Sequence, residues 1–548
     1  MKEAPRSRPS LMRRYPALAF VVAAGALALL LPSALHVPQS GPTTLAEFAP
    51  VSGEGQGKGD VSDLGQASSG GLGFGSGSRS GANFSEPPNF GGPKQKGRTL
   101  KRCVGSPPRQ TEDPLSPPCV AFFEGDNAGA TWRGVSREAA VVVIHLLDSQ
   151  PGISDCTKPI LPEDTRSDKV CKAFWRFFNS RYQTYGRNIR LFAYHAGNSR
   201  GAVNDKNDIV AIESELRPFA IVPTIPSGGG REFAAEAAGR GMLVAGYRAF
   251  SRATYLRHPR LLISFAPDLE DESKIVSEYI CNKLAGRPAR YSGNPLDVDK
   301  PRKFGVWHER NEERSPMLQS DLERTCGIKV VDVDDASTAV ATMRAGDVTT
   351  VIPLSINGQP IIYTNAAQSQ GWSPEWFIPG DPLGEGLDTA GNARLYNQPE
   401  WRHAFGVSFD YRRDARGEQS YHRALKEGCP ECADDVIGAP LYDALTMLFY
   451  GIQAAGPKLT PESIDRGLHA IPPSKSTSPY RPAAYFSPGN FSFIKDAAEI
   501  WWDSVAPAQD NRVGCYRLPN EGQRNRAGDW TGDDSSLFSP GAPCQAPF

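Results

Sequence analysis

"FAIVPTIPSGGGREFAAEAAGRG" (Phe219–Gly241) reads as an apolar strand, a glycine-rich bend and an alanine-rich helix. A strand that turns directly into a helix is half of a parallel crossover, so this stretch predicts an α/β fold. The pattern extends in both directions. Upstream, "AAVVVIHLLD" (Ala139–Asp148) is a continuous apolar run, as expected of a strand covered on both faces. A helical stretch over 169–185, the strand "NIRLFAYHAG" (Asn188–Gly197) and a helix over 202–215 lead into Phe219. Downstream, "MLVAGY" (Met242–Tyr247) and "LLISFAP" (Leu261–Pro267) complete the first series.

A helix with Ile275, Tyr279 and Leu284 on one side follows, and the alternation restarts. "KFGVWHE" (Lys303–Glu309), "IKVVDVD" (Ile328–Asp334) and "VTTVIPL" (Val348–Leu354) read as strands, with helices over 316–326 and 336–344 between them. Two series of similar size predict two lobes, each with its own parallel sheet. Leu441, Leu445, Leu448 and Ile452 recur at helical spacing and predict a core-facing stripe.

The chain has 548 residues, with 60 Lys plus Arg against 61 Asp plus Glu. That near-neutral balance lacks the clustered positive field of nucleic-acid binding. At the N-terminus, Lys2, Arg6, Arg8, Arg13 and Arg14 precede Tyr15–Leu35, 21 residues without a charge. A basic flank before an apolar run marks export, as an uncleaved membrane anchor or a cleaved signal peptide. Thr44-Leu45-Ala46 is a distant cleavage site, and no cysteine lies in or just after the run to carry an acyl chain. Ser52–Gly97 holds 14 glycines and 8 serines in 46 residues. Its composition predicts a flexible tether with ends roughly 35–40 Å apart.

All ten cysteines (Cys103, Cys119, Cys156, Cys171, Cys281, Cys326, Cys429, Cys432, Cys515, Cys544) fall after the apolar run. An even count in an exported chain reads as disulfides, and their order suggests five local pairs. Cys429-Pro430-Glu431-Cys432 is a C-x-x-C pair. It follows a charged helix rather than a thioredoxin-type strand, and no second pair is near for a metal. A structural disulfide loop is favoured over a redox pair.

The triglycine bend Gly228-Gly229-Gly230 is not a phosphate loop. The Gly-Lys-Ser/Thr ending is missing, Glu232 would repel phosphate, and G-x-G-x-x-G is absent. Ser227 and the backbone N–H groups of Gly228 and Gly229 suit a carboxylate or other small anion, or form a helix entry with no ligand. There is no G-x-S-x-G elbow, and Glu312 stands where a zinc-protease helix starting at His308-Glu309 needs histidine. His145, inside an apolar strand, reads as a satisfied core residue. No motif calls for a cofactor or metal.

Four stretches together resemble the extracytoplasmic type I solute-binding proteins, such as the leucine/isoleucine/valine-binding proteins of ABC importers. They are "CVAFFEGDNAGATWRGVSREAAVVVIHLLD" (119–148), "YGRNIRLFAYHAGNSRGAVNDKNDIVAIESELRPFAIVP" (185–223), "APLYDALTMLFYGIQAAGPKLTPESIDRGLHAI" (439–471) and "SPGNFSFIKDAAEIWWD" (487–503). The resemblance covers about Cys119 to Asp503 and lies in the ordered series rather than in any one motif. It implies two α/β lobes joined by three crossings, a small ligand enclosed at the hinge, delivery to an ABC permease or sensing, and no catalysis.

By the same resemblance, the loops Thr224–Gly229 and Tyr247–Ser251 hold a ligand carboxylate and amino group, which nominates Ser227, Tyr247 and Ser251. Asp381 in "WFIPGDPLG" matches the residue that takes an ammonium, and His308–Glu313 and Ser355 match other second-lobe loops. The sequence departs from amino-acid binders in two ways. The hydroxyl-rich clamp is thinned to one serine followed by glycines, and Arg248 stands where a small residue is common. Arg248 would fill the pocket or bind an anionic ligand.

The expected division is 1–37 anchor or signal, 38–100 linker, 101–267 first lobe, 268–384 second lobe, 385–475 return to the first lobe, 476–503 closing hairpin and 504–548 tail. The alternatives to a membrane-tethered solute-binding protein are a surface scaffold that kept the fold and lost its ligand, and an exported thiol–disulfide enzyme using Cys429 and Cys432.

Overall fold

The computed structural model describes residues 103–544 except 106–107, 122, 148–150, 198–201, 225–229, 248–249, 311, 355–359, 381–392, 413, 434, 436–437, 474–479 and 509–511. The expected anchor and linker lie outside the described residues. No helix among the described residues is long and apolar enough to cross a membrane.

A short antiparallel pair, β1 (Cys103–Val104) and β2 (Arg109–Gln110), comes first among the described residues. The first lobe is built on β3 (Ala139–Leu147), β4 (Gly152–Asp155), β5 (Asn188–Ala196), β6 (Ala220–Pro223), β7 (Leu243–Gly246) and β8 (Leu262–Ser264). Their order is β4-β5-β3-β6-β7-β8, parallel except where β4 meets β5. β-Branched residues suit a strand packed on both faces, and Val142, Val143 and Ile144 of β3 are fully buried. The helix Arg166–Arg181 starts where Thr165 and Asp168 satisfy each other's backbone N–H groups in a capping box. The helix Gly438–Ala455 buries the predicted stripe Leu441, Leu445, Leu448 and Ile452 in the same core.

The second sheet contains β9 (Phe304–His308), β10 (Val331–Val333), β11 (Thr350–Leu354), β12 (Glu375–Pro379), β13 (Ala404–Ser408), β14 (Asp496–Pro507), β15 (Val513–Arg517) and β16 (Arg524–Arg526). Its order is β10-β9-β11-β12-β13-β14-β15, with β16 also on β14. The strands from β10 to β13 are parallel, and β14, β15 and β16 are antiparallel to their neighbours. Here the structure differs from the sequence pattern. Ala404–Ser408, expected in the first lobe's return, is a second-sheet strand, and the expected closing hairpin supplies that sheet's longest strand. The tail adds two further strands to the same sheet. A strand's own pattern shows that it is buried, and its partner is settled only by which neighbour completes the ladder.

Among the described residues, three segments cross between the lobes. The first runs from β8 through Phe265–Asp268 into the helix Leu269–Tyr279, which packs in the second lobe. The second runs from β13 through Phe409–Tyr411 back towards the helix Ser420–Gly428 of the first lobe. The third passes Phe491–Lys495 into β14, bonding the first crossing through Ser264 N to Phe491 O (3.0 Å) and Ile494 N to Phe265 O (3.0 Å).

The ten cysteines form five disulfides between sequence neighbours: Cys103–Cys119, Cys156–Cys171, Cys281–Cys326, Cys429–Cys432 and Cys515–Cys544. The local pairing suggested by their order is what the structure contains. Cys429 and Cys432 are both buried, in and beside a short 3-10 turn.

Candidate functional site

In an open parallel sheet, ligands collect beyond the carboxyl ends of strands, where neighbouring crossovers leave in opposite directions. In the first sheet this point is β3, flanked by β5 and β6; in the second it is β9, flanked by β10 and β11. The loop containing Ser227, Gly228 and Gly229 follows β6, and Arg248 follows β7. Ser355 follows β11 and Asp381 follows β12. These six candidates lie outside the described residues; Tyr247 and Ser251 lie within them.

Tyr247 reaches the hinge. Its ring stacks on Phe265 of the first crossing (5.5 Å between centroids, 19° between planes). Its hydroxyl donates to Asp410 Oδ1 of the second crossing. Around this bond lies a hollow lined by Tyr247, Phe265, Glu272, Gly380, Ser408 and Asp410, with Ile494 of the third crossing beside them. Its cavity volume is ≈ 10 Å³, room for about one water molecule. Gly380 must be glycine: its φ is +88°, and a Cβ would come within 2.2 Å of the Phe409 ring. The Ser408 hydroxyl is buried, with no hydrogen-bond partner among the described residues.

Ser251 is placed differently. It precedes the helix Arg252–Arg257, is buried, and exchanges a hydrogen bond with the Thr254 hydroxyl (3.0 Å). It is not among the residues lining the hollow.

The strand ends above the hinge are braced by polar pairs. His145, near the end of β3, is buried with Nε2 3.1 Å from Asp208 Oδ2. Tyr194 donates to the other oxygen of Asp208 (3.1 Å), and burial beside that charge pushes its hydroxyl up to about 12. The His145 carbonyl accepts from both the backbone N (3.0 Å) and the hydroxyl (2.7 Å) of Thr224. His145 is thus a satisfied core residue that holds the end of β6 against β3.

In the second lobe, His308 lies between the Glu309 carbonyl (2.7 Å from Nδ1) and Asp332 (3.1 Å from Nε2), and the Asp332 hydrogen bond raises its pKa. Glu312 accepts from the backbone and guanidinium of Arg314 (3.1 Å each). Much of the hydrogen-bonding capacity of the expected His308–Glu313 loop is therefore committed within the lobe. Trp307 stacks on Tyr363 (4.2 Å), and its indole N–H has no partner among the described residues.

Sequence reasoning missed Asp410, Ser408, Glu272 and Phe265. A signal existed for one of them. The rule that nominated Asp381, an acidic residue after a late second-lobe strand, applies equally to Asp410 after "AFGVS" (Ala404–Ser408). It was hidden because 404–408 is not among the strands read from the sequence and 385–475 was expected in the first lobe.

No protein-family model matches this sequence. No curated protein matches it either. Solved structures similar to the chain include a solute-binding protein of an ABC transporter from R. palustris in complex with 4-hydroxybenzoate, 11% identical, with a TM-score of 0.49 over 72% of this chain and 98% of that one. A periplasmic binding protein from Burkholderia mallei is 12% identical, with a TM-score of 0.49 over 73% of this chain and 99% of that one. The branched-chain amino acid transporter substrate binding protein of Streptococcus pneumoniae, in complex with isoleucine, is 12% identical, with a TM-score of 0.47 over 70% and 99%. These structural neighbours are type I periplasmic solute-binding proteins. The two-lobe assignment itself rests on the sheet orders and crossings described above.

Proposed function

We propose that this chain is an extracytoplasmic solute-binding protein that closes two lobes around a small polar ligand, for delivery to an ABC permease or for sensing. One observation carries the proposal: residues from both lobes and all three crossings converge on one hollow, where Tyr247 meets Asp410. A site built this way changes shape when the lobes rotate, which couples occupancy to closure. The ligand would be gripped by Ser227, Gly228, Gly229, Tyr247 and Arg248 from the first lobe, and by Ser355 and Asp381 from the second. The basic, apolar N-terminus would tether the protein outside the cytoplasm, with 38–100 as the linker.

The test is a thermal-shift screen of the full chain against amino acids, amides, short peptides, sugars and aromatic carboxylates. The last class belongs in the panel because Tyr247 and Phe265 present stacked rings at the hinge. A ligand of the native state raises the melting temperature in a concentration-dependent way. No shift with any class would favour the ligand-free scaffold. For an amino ligand, Asp381→Ala should abolish the shift; an unchanged shift would remove Asp381 from the site.

A further inference from the structure

Arg524 stands on β16, in the C-terminal segment beyond the stretch that resembles a solute-binding protein. Its side chain is fully buried, as is that of Asp496, its ion-pair partner. The guanidinium donates to Asp496 Oδ1 (2.8 Å) and to the Asp496 carbonyl (2.8 Å), where the third crossing enters β14. Its other donors reach the carbonyls of Phe409 (2.9 Å) and Asp410 in the second crossing. One residue of the tail therefore spans two of the three crossings. Asp410, held by its carbonyl from this side, accepts the Tyr247 hydroxyl with its carboxylate on the other.

We propose that Arg524 is a positioning residue for the cleft: it fixes the second crossing against the third and so holds Asp410 where Tyr247 of the first lobe meets it. The tail can do this because it is anchored to the second lobe elsewhere. Cys515–Cys544 closes it, Asp534 pairs with buried Arg302 (2.8 Å), and Ser536 bonds Glu499 (2.7 Å). Arginine is required, since only its rigid fork of donors can serve a carboxylate and three separate carbonyls at once. Lysine, a single point charge, would keep Asp496 and release the second crossing. This role rests on the reading of the protein as two lobes that close, and its test needs no ligand.

The experiment uses the full chain with Lys206→Cys and Lys329→Cys, exposed sites on the first and second lobes. All ten native cysteines are in disulfides, so two spin labels attach only at the new thiols. Pulsed electron spin resonance then gives the interlobe distance distribution. Arg524→Lys should broaden that distribution about twofold, as a loosened hinge does, with the far-ultraviolet circular dichroism unchanged. Arg524→Gln combined with Asp496→Asn, which leaves no buried charge unpaired, should do the same. Unchanged distributions in both variants overturn the proposal. Loss of the fold in both also overturns it, because Arg524 would then be a structural residue and no more. A negative ligand screen beside a broadened distribution would sink the solute-binding reading and leave the hinge role standing.

Discussion

The two lobes share an architecture and differ in what holds them together. The first buries aliphatic and phenylalanine side chains around β3, such as Val142, Phe174, Leu445 and Phe178. Both lobes bury charged pairs, His195 with Asp168 (2.8 Å) in the first for example; the second draws partners for its pairs from the tail and sets them beside an aromatic core. Seven of the nine tryptophans stand there: Trp307, Trp372, Trp376, Trp401, Trp501, Trp502 and Trp530. Under its sheet, Arg302 forks onto Glu375 (2.7 and 3.0 Å) and reaches Asp534 (2.8 Å), all three side chains being essentially inaccessible. Lys283 and Tyr279 both meet Glu499 (2.7 and 2.6 Å). Apolar burial is non-directional and tolerant, whereas a buried ion pair stabilises only while every partner is present. The second lobe is therefore completed by its tail, and the first is complete without it.

This contrast breaks first at Arg302. Arg302→Met leaves the carboxylate of Glu375 buried without its cation and Asp534 with only Arg290 at 3.6 Å, and should cost roughly 3–5 kcal/mol. The loss should appear as an early transition in tryptophan fluorescence during urea unfolding, since most tryptophans report on the second lobe. In the first lobe, Leu445→Ala should cost about 2–5 kcal/mol through a cavity and leave that fluorescence transition nearly in place. If both variants shift the same transition equally, the lobes unfold as one unit and the contrast has no thermodynamic meaning.

A smaller effect is expected at the hinge. Lys495 of the third crossing is buried; its ammonium donates to Asn490 Oδ1 (2.6 Å) and the Ser492 hydroxyl (2.8 Å), with Asp271 at 3.5 Å. Burial pulls its pKa down to about 8, opposed by Asp271 and Asp268. A lysine in the unfolded chain titrates near about 10.4, so between the two values the unfolded chain binds more protons. Stability should therefore rise as pH increases from about 8 towards 10, by up to roughly 2–3 kcal/mol. The comparison is with Lys495→Met, in which this rise should vanish; the same rise in both proteins would assign it to other groups.

The smallest change is Tyr247→Phe, which removes one hydroxyl across the cleft. A hydrogen bond at a half-exposed site should cost about 1 kcal/mol, read as a change in closure or ligand affinity rather than in the unfolding of either lobe. An effect confined to unfolding would make Tyr247 a packing residue.

Much of this was legible in the sequence. The alternation of apolar strands with helices, the stripe Leu441–Ile452, the local cysteine pairs and the core role of His145 follow from periodicity, composition and spacing. These are short-range properties, carried by neighbours along the chain. Ser251 shows the limit on the site: its place in the chain matched a ligand loop, yet its hydroxyl is bonded to Thr254. Asp410 shows the converse, a cleft residue with no local mark beyond following a strand.

Two α/β series and local disulfide staples can be read from the residues in order, because strand and helix patterns are written in adjacent residues. The folded chain settles what that order leaves open: which sheet takes Ala404–Ser408, that the tail belongs to the second lobe, and that Arg524, Asp410 and Tyr247 form one chain of contacts through the hinge. Those choices depend on ladders between separate segments and on hydrogen bonds between residues more than a hundred positions apart, such as Arg524 with Phe409 and Asp410 with Tyr247. No local pattern encodes them, since each partner alone is compatible with several neighbours until the fold leaves it one.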